Sequence, residues 1–193
     1  MIVAQISRAG GPFELVERPV PEPGLGQVLI KVEACGICHS DQVFKEGHWP
    51  DLKFPCVPGH EVAGRIEKIG AGITRFKAGQ RAGVGWNGGY CTHCEPCREG
   101  EFPFCTTGAT TGASFDGGYG EYMVAPETAV AAMPEGIEPS DWPSWMSVRN
   151  DVSTRRKAVV TREAISESKV ASSVALPATR QPRRPSTPCD DSA

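Results

Sequence analysis

Hydrophobic and polar residues alternate most clearly in three segments, and each predicts a β-strand. "QVLIKVEA" is rich in Val and Ile and keeps a period near two, and "EVAGRIEKIG" and "YGEYMVAP" read the same way. Between them, "PEPGLG", "AGITRFKAGQ" and "NGG" supply turn residues. The chain's 22 glycines lie nearly all in this part, as short strands joined by tight corners require. The pattern predicts a mainly β fold, a small barrel, over residues 1–138. No self-similarity at a solenoid period is present.

From residue 139 onward the pattern is lost. The stretch from "RNDVSTRRKAVV" to "PSTPCDDSA" is rich in Ser, Thr, Arg, Ala and Pro and has no aromatic residue. "TREAISESKVASSVA" has helix-forming residues but a thin apolar stripe. Residues 139–193 are therefore expected to form a largely disordered tail, with nothing packing from about residue 177.

Composition narrows the class of function. With 193 residues and 39% hydrophobic content, the chain can build one ordinary core. A net charge of −3 and a pI of about 5.8 give no basic surface for nucleic acid or anionic membranes. The start, "MIVAQISRAGGPFELVERP", lacks the apolar core of a signal peptide. No stretch reaches the roughly 20 apolar residues of a membrane span. A cytoplasmic protein is expected, in which thiols stay reduced and clustered cysteines signal metal rather than disulfides.

Half of the eight cysteines crowd into "CTHCEPCREGEFPFC", at Cys91, Cys94, Cys97 and Cys105. The spacing is C-x2-C-x2-C-x7-C, with Pro96 and Gly100 to turn the chain so that sulfurs converge. Four thiolates suit tetrahedral zinc in a closed, structural site. An iron–sulfur cluster is the rival, although its fourth cysteine normally comes sooner and precedes Pro, where Thr106 stands here.

Two earlier segments carry a different donor set: "EACGICHSDQVFKEGHWP" (33–50) and "FPCVPGHEVAGRI" (54–66). Cysteine, histidine and glutamate beside glycines form the mixed set of a reactive zinc site. With the thiol cluster, "CGICHSD" and "PGHEVAGRIEKIG" resemble the zinc-dependent medium-chain alcohol dehydrogenases in order and spacing. The resemblance covers roughly residues 1–138. It implies a GroES-like twisted β-barrel with a reactive zinc and a structural-zinc lobe at about 86–112.

By that resemblance, Cys38 and His60 match two ligands of the catalytic zinc, and Glu61 the carboxylate that approaches the metal. Asp41 matches the acid that orients the histidine, and Ser40 the hydroxyl that takes the alcohol proton. His39 matches the residue beside the cofactor pyrophosphate. Trp49 is either substrate-pocket wall or ordinary core. Cys35 and Cys56 match no ligand position and read as small buried side chains. Val43 stands where some members place a second proton-relay histidine. The implied reaction is oxidation of a small alcohol to an aldehyde or ketone. Hydride passes to NAD(P), and zinc serves as the Lewis acid.

The family's glycine-rich Rossmann fingerprint has no counterpart in this sequence. The third cysteine ligand is expected at about 144–149, where the chain reads "SWMSVR"; only Cys189 lies downstream. A shifted reading frame or mis-spliced transcript would produce such a break. The chain is thus expected to be an incomplete enzyme when alone, with a non-enzymic zinc-stabilised interaction module as the alternative and an iron–sulfur electron carrier as a third. The resemblance sets no oligomeric state.

Overall fold

In a computed structural model, the protein is described at residues 1–136, 138 and 139, and in the backbone of residues 159–161. Strands β1 (Ile2–Ile6) and β2 (Phe13–Glu17) form an antiparallel hairpin. Strands β3 (Gln27–Gly36), β4 (Val62–Ile69), β5 (Arg81–Val84), β6 (Tyr122–Pro126) and β7 (Val130–Ala132) form a second sheet in the order β6-β3-β4-β5-β7. Every pairing in it is antiparallel. Two short helices interrupt the strands, α1 (His39–Lys45) and α2 (Glu95–Arg98).

In β4 burial alternates from Gly64 to Glu67, with Ile66 inside and Arg65 and Glu67 outside, whereas Val62 and Ala63 at its start are both buried. Central β3 is buried on both faces, so Val28, Leu29, Ile30, Val32, Ala34 and Cys35 are all covered. The register of β3 against β4 slips between Leu29 and Ile30 and again between Val32 and Ala34. Such bulges curl a sheet, and here they roll it into a half-barrel. Gly64 permits the second slip, since a Cβ there would sit 2.2 Å from the carbonyl oxygen of Lys31. The core inside the curl is built from Val3, Val28, Ile30, Val62, Ile66 and Val84, closed by Tyr119 and Met123. This is the mainly β barrel that the alternation predicts.

The expectation of a tail that does not pack falls mostly outside the described residues, as does the weak helix. A short piece of the tail is described as a strand. Strand β8 (Val159–Thr161) pairs antiparallel with the end of β3, Ala34–Gly36, beyond the reach of β6. Two successive valines and a threonine favour extended backbone, and that end of β3 offers unpaired amides and carbonyls.

Candidate metal centres

The thiol cluster is local. Cys94 caps α2, Pro96 opens it, and Gly100, at φ +83°, turns the chain out of it. Thr92 adopts φ +67° to fold Cys91 back toward Cys94. The amide of Cys94 then donates to the sulfur of Cys91 at 3.3 Å, and the amide of Cys91 to that of Cys105, also at 3.3 Å. Tyr90 and Phe102 stack at 4.2 Å and tie the two ends of the lobe together. All four sulfurs lie within 4.8 Å of one another.

The electrostatics of that group suit a cation. Backbone amides of His93 and Cys94 hold the Cys91 thiol down at about 5. Cys94 is lowered likewise by the amides of Thr106 and Cys97. Burial, with hydrogen bonds from its neighbours, pushes Cys97 up to about 12. Four thiols so close cannot all ionise by themselves, because each new charge opposes the next. A divalent ion at the centre removes that opposition, and the inward N–H donors are the outer layer such a site requires. The donor set fits zinc.

The second group is assembled from distant segments. Strand β3 ends at Gly36 and delivers Cys38 to the start of α1; the turn before β4 delivers His60. The Cys38 sulfur lies 3.0 Å from His60 Nε2 and 2.8 Å from the Ser40 hydroxyl. Burial alone would raise the Cys38 thiol, but hydrogen bonds with His60 and Ser40 outweigh it and the net shift is downward. For His60 burial works to lower the pKa, and Cys38 and Asp41 together reverse it to a net rise. Thiolate and imidazolium therefore stabilise each other across this contact.

Asp41 lies on the other side of the ring. Its Oδ1 is 3.4 Å from His60 Nδ1, close enough for an ionic contact, yet Nδ1 has no well-formed hydrogen bond. Asp41 accepts from three donors: the amide of Cys38 (2.9 Å), the Tyr119 hydroxyl (2.8 Å) and the amide of Gly59 (3.2 Å). Ligand atoms of Cys38, Asp41 and His60 share a 4.8 Å circle. Even so, an ion bound to Nε2 and the cysteine sulfur has the imidazole between itself and the carboxylate. Asp41 is placed to orient the histidine rather than to coordinate.

Of the remaining expected residues, Glu61 is buried next to His60 but its carboxylate is not a member of this group. His39 is exposed at the first position of α1. Cys35 and Cys56 are buried and belong to neither metal group. Burial pushes the Cys56 thiol up to about 11 and the Cys35 thiol well above its ordinary value. The third-ligand position expected at 144–149 and Cys189 lie outside the described residues.

Three residues join the site without having been singled out from the sequence. Trp86 sets its ring 4.9 Å from that of His60, edge to face, and stacks on Phe44 at 5.7 Å. Trp49 meets Trp86 at 5.3 Å, so Phe44, Trp49 and Trp86 form one aromatic wall beside the imidazole. Tyr119 reaches Asp41 from 78 residues away.

Residues 24–135 match the alcohol dehydrogenase GroES-like domain. The chain belongs to that family. It is similar to an alcohol dehydrogenase of Rhizobium meliloti, with 42% identity over 139 residues, covering 72% of this chain and 41% of the relative. A Geobacillus stearothermophilus alcohol dehydrogenase is 37% identical over 138 residues, covering 71% and 41%. Among solved structures, the cobalt- and zinc-bound thermostable alcohol dehydrogenase of Pyrobaculum aerophilum superposes with a TM-score of 0.68 at 32% identity, covering 75% of this chain and 44% of that one. The chain thus spans about two fifths of the length of the relatives it matches. A non-enzymic module draws no support from such relatives. Among the described residues, no helix is long and apolar enough to cross a membrane.

Proposed function

We propose that residues 1–138 form the zinc-bearing, alcohol-binding domain of an NAD(P)-dependent alcohol dehydrogenase. Cys38 and His60 hold the reactive zinc, and Cys91, Cys94, Cys97 and Cys105 hold a structural one. The observation that carries this reading is the Cys38–His60 contact at 3.0 Å, with Asp41 behind the imidazole and an aromatic wall beside it. Zinc bound there supplies Lewis acidity that eases loss of the alcohol proton.

The protein's own residues do the rest. Ser40 is half-buried beside Cys38 and takes the alcohol proton at its Oγ, passing it toward solvent. Val43 has no titratable group, so the relay ends there. Asp41 keeps His60 Nδ1 facing the carboxylate, which leaves Nε2 for the metal. The ring faces of Trp49 and Trp86 exclude water from the alcohol's carbon chain. Glu61, buried beside His60, would supply a further carboxylate near a metal held there. Exposed His39 would meet the phosphates of a dinucleotide, which would supply the hydride acceptor. Small alcohols and aldehydes are the substrate class, and the cytoplasm is the place of action.

A domain graft tests this reading apart from the question of chain length. Residues 1–138 replace the matching segment of the Rhizobium meliloti relative, and alcohol-dependent reduction of NAD or NADP is followed by absorbance. Turnover that His60→Ala abolishes is expected. A folded chimera containing zinc but showing no turnover would sink the proposal.

A further inference from the structure

We propose that Tyr119 is a positioning residue for the Cys38–His60 site, acting through the carboxylate of Asp41. The proposal deepens the metal-site reading above and rests on it.

Tyr119 is fully buried, and a buried hydroxyl without a partner is costly, so its proton must be committed. It donates to Asp41 Oδ2 at 2.8 Å, whereas the alternative acceptor, the carbonyl of Gly36, is at 3.4 Å. Oδ2 also accepts the amide of Cys38, so two donors occupy that oxygen. Oδ1 is left with the amide of Gly59 and with His60 Nδ1. The plane of the carboxylate is thereby fixed, and with it the ring nitrogen that faces Asp41.

The arm that does this is rigid. The Tyr119 amide donates to the carbonyl of Pro58, and its carbonyl accepts from the amide of Ala4 in β1. Its ring meets Phe13 edge-on at 5.9 Å and lies against Gly59 so closely that a Cβ there would be 2.5 Å away. Burial, reinforced by the charge of Asp41, holds the phenol well above its ordinary pKa, so it remains a donor. With the hydroxyl removed, Asp41 keeps one amide donor on each oxygen but loses the second donor on Oδ2, so its carboxylate is held less tightly. His60 Nδ1 then faces a less firmly held carboxylate.

The test uses Tyr119→Phe, Asp41→Asn and the double variant, each in the full chain. Zinc affinity at the second site is measured by competition with a chromophoric chelator, and the His60 Nδ1–H is followed by NMR in metal-free protein. Partners in the outer layer of a metal site are worth about 10–100-fold in affinity, and one step further out about three- to tenfold is expected. Tyr119→Phe should weaken second-site zinc by that factor, shift the Nδ1–H resonance and speed its exchange, leaving the four-cysteine site unchanged. In the Asp41→Asn background it should add nothing. An unchanged resonance with affinity within about twofold, or full additivity in the double variant, overturns the proposal even if the protein melts earlier. Should Tyr119→Phe fail to fold, 3-fluorotyrosine at 119, a stronger donor, must move the same resonance the opposite way; no movement overturns it. If wild-type protein takes up no second zinc, the metal-site reading fails, while the NMR comparison still decides the role of Tyr119.

Discussion

Replacing Gly59 by Ala should damage this protein more than any comparable change at an exposed turn. Gly59 has φ +97°, a region that L residues occupy at a penalty of about 1–3 kcal/mol. The new Cβ would meet Tyr119 Cδ1 at 2.5 Å and the sulfur of Cys35 at 2.9 Å. Neither can retreat: Cys35 and Tyr119 are both fully buried, and the tyrosine is held at its hydroxyl and its backbone. Overpacking of this kind adds about 1–3 kcal/mol, for a total of about 2–6 kcal/mol. Against an ordinary domain stability of about 5–15 kcal/mol that is a large fraction. At about 2–4 °C per kcal/mol for a chain of this size, the melting temperature should fall by roughly 4–24 °C. Gly26→Ala is the control, because Gly26 shares the left-handed conformation (φ +71°) but has nothing within 4 Å of the added Cβ. Calorimetry of both variants at equal zinc occupancy isolates the clash. If Gly59→Ala melts with Gly26→Ala, the packing argument around Tyr119 is wrong.

Two further outcomes follow from the cysteines. Dialysed protein should retain about one zinc per chain, lost on Cys91→Ser but not on Cys38→Ser, because four convergent thiolates outcompete the one thiolate and one imidazole that the described residues bring to the second site; two tightly held ions by elemental analysis would contradict this. Stability should fall as pH rises from about 9 toward about 11, since burial, aided by the charge of Asp116, raises Cys56 from 9.0 to about 11. The unfolded chain ionises this thiol first, so the contribution is complete below pH 9 and is lost through the folded value, a decline of at most about 3 kcal/mol. Urea midpoints across that range should decline less steeply in Cys56→Ala; equal slopes would refute the assignment.

Much of the barrel is legible because β3, β4 and β6 each carry a strand-like period, clean in half-buried β6 and overlaid in β3 by burial on both faces. The hairpin of β1 and β2 is less so: "FELVE" has a polar residue at both faces, and its partner derives its burial from Gly120 and Cys56, distant in sequence. Strand β5 has four residues including a glycine, too few to show a period. Metal ligands stand out because the chemistry restricts both residue type and spacing. Four cysteines within fifteen residues are a stronger mark than the single C-x2-C of Cys35 and Cys38, of which only Cys38 joins a metal group. The residues that aim those ligands carry no such mark. Tyr119 in "GGYGEYM" looks like any aromatic residue of a strand, and Trp86 like the end of one. Their contacts, which only the folded half-barrel creates, lie 78 and 26 residues away in sequence.

The two metal groups consequently depend on the fold in opposite ways. The four-cysteine group lies within fifteen residues, and its sulfurs are gathered by α2, two turns and their own N–H donors. Little of the barrel is needed to form it, and the ion supplies the cohesion that so small a lobe lacks. The Cys38–His60 pair requires the barrel first: the end of β3, the turn at Gly59 and the strand approach at Tyr119 must all be in register before Asp41 has its three donors. A defect in the core therefore reaches the second group through Asp41, whereas the first is insulated from it. That asymmetry is what a scaffold requires if one ion is to hold structure and the other is to exchange ligands. On the proposed assignment, the staple tolerates a moving barrel, and the Cys38–His60 pair is only as well aimed as the core behind it.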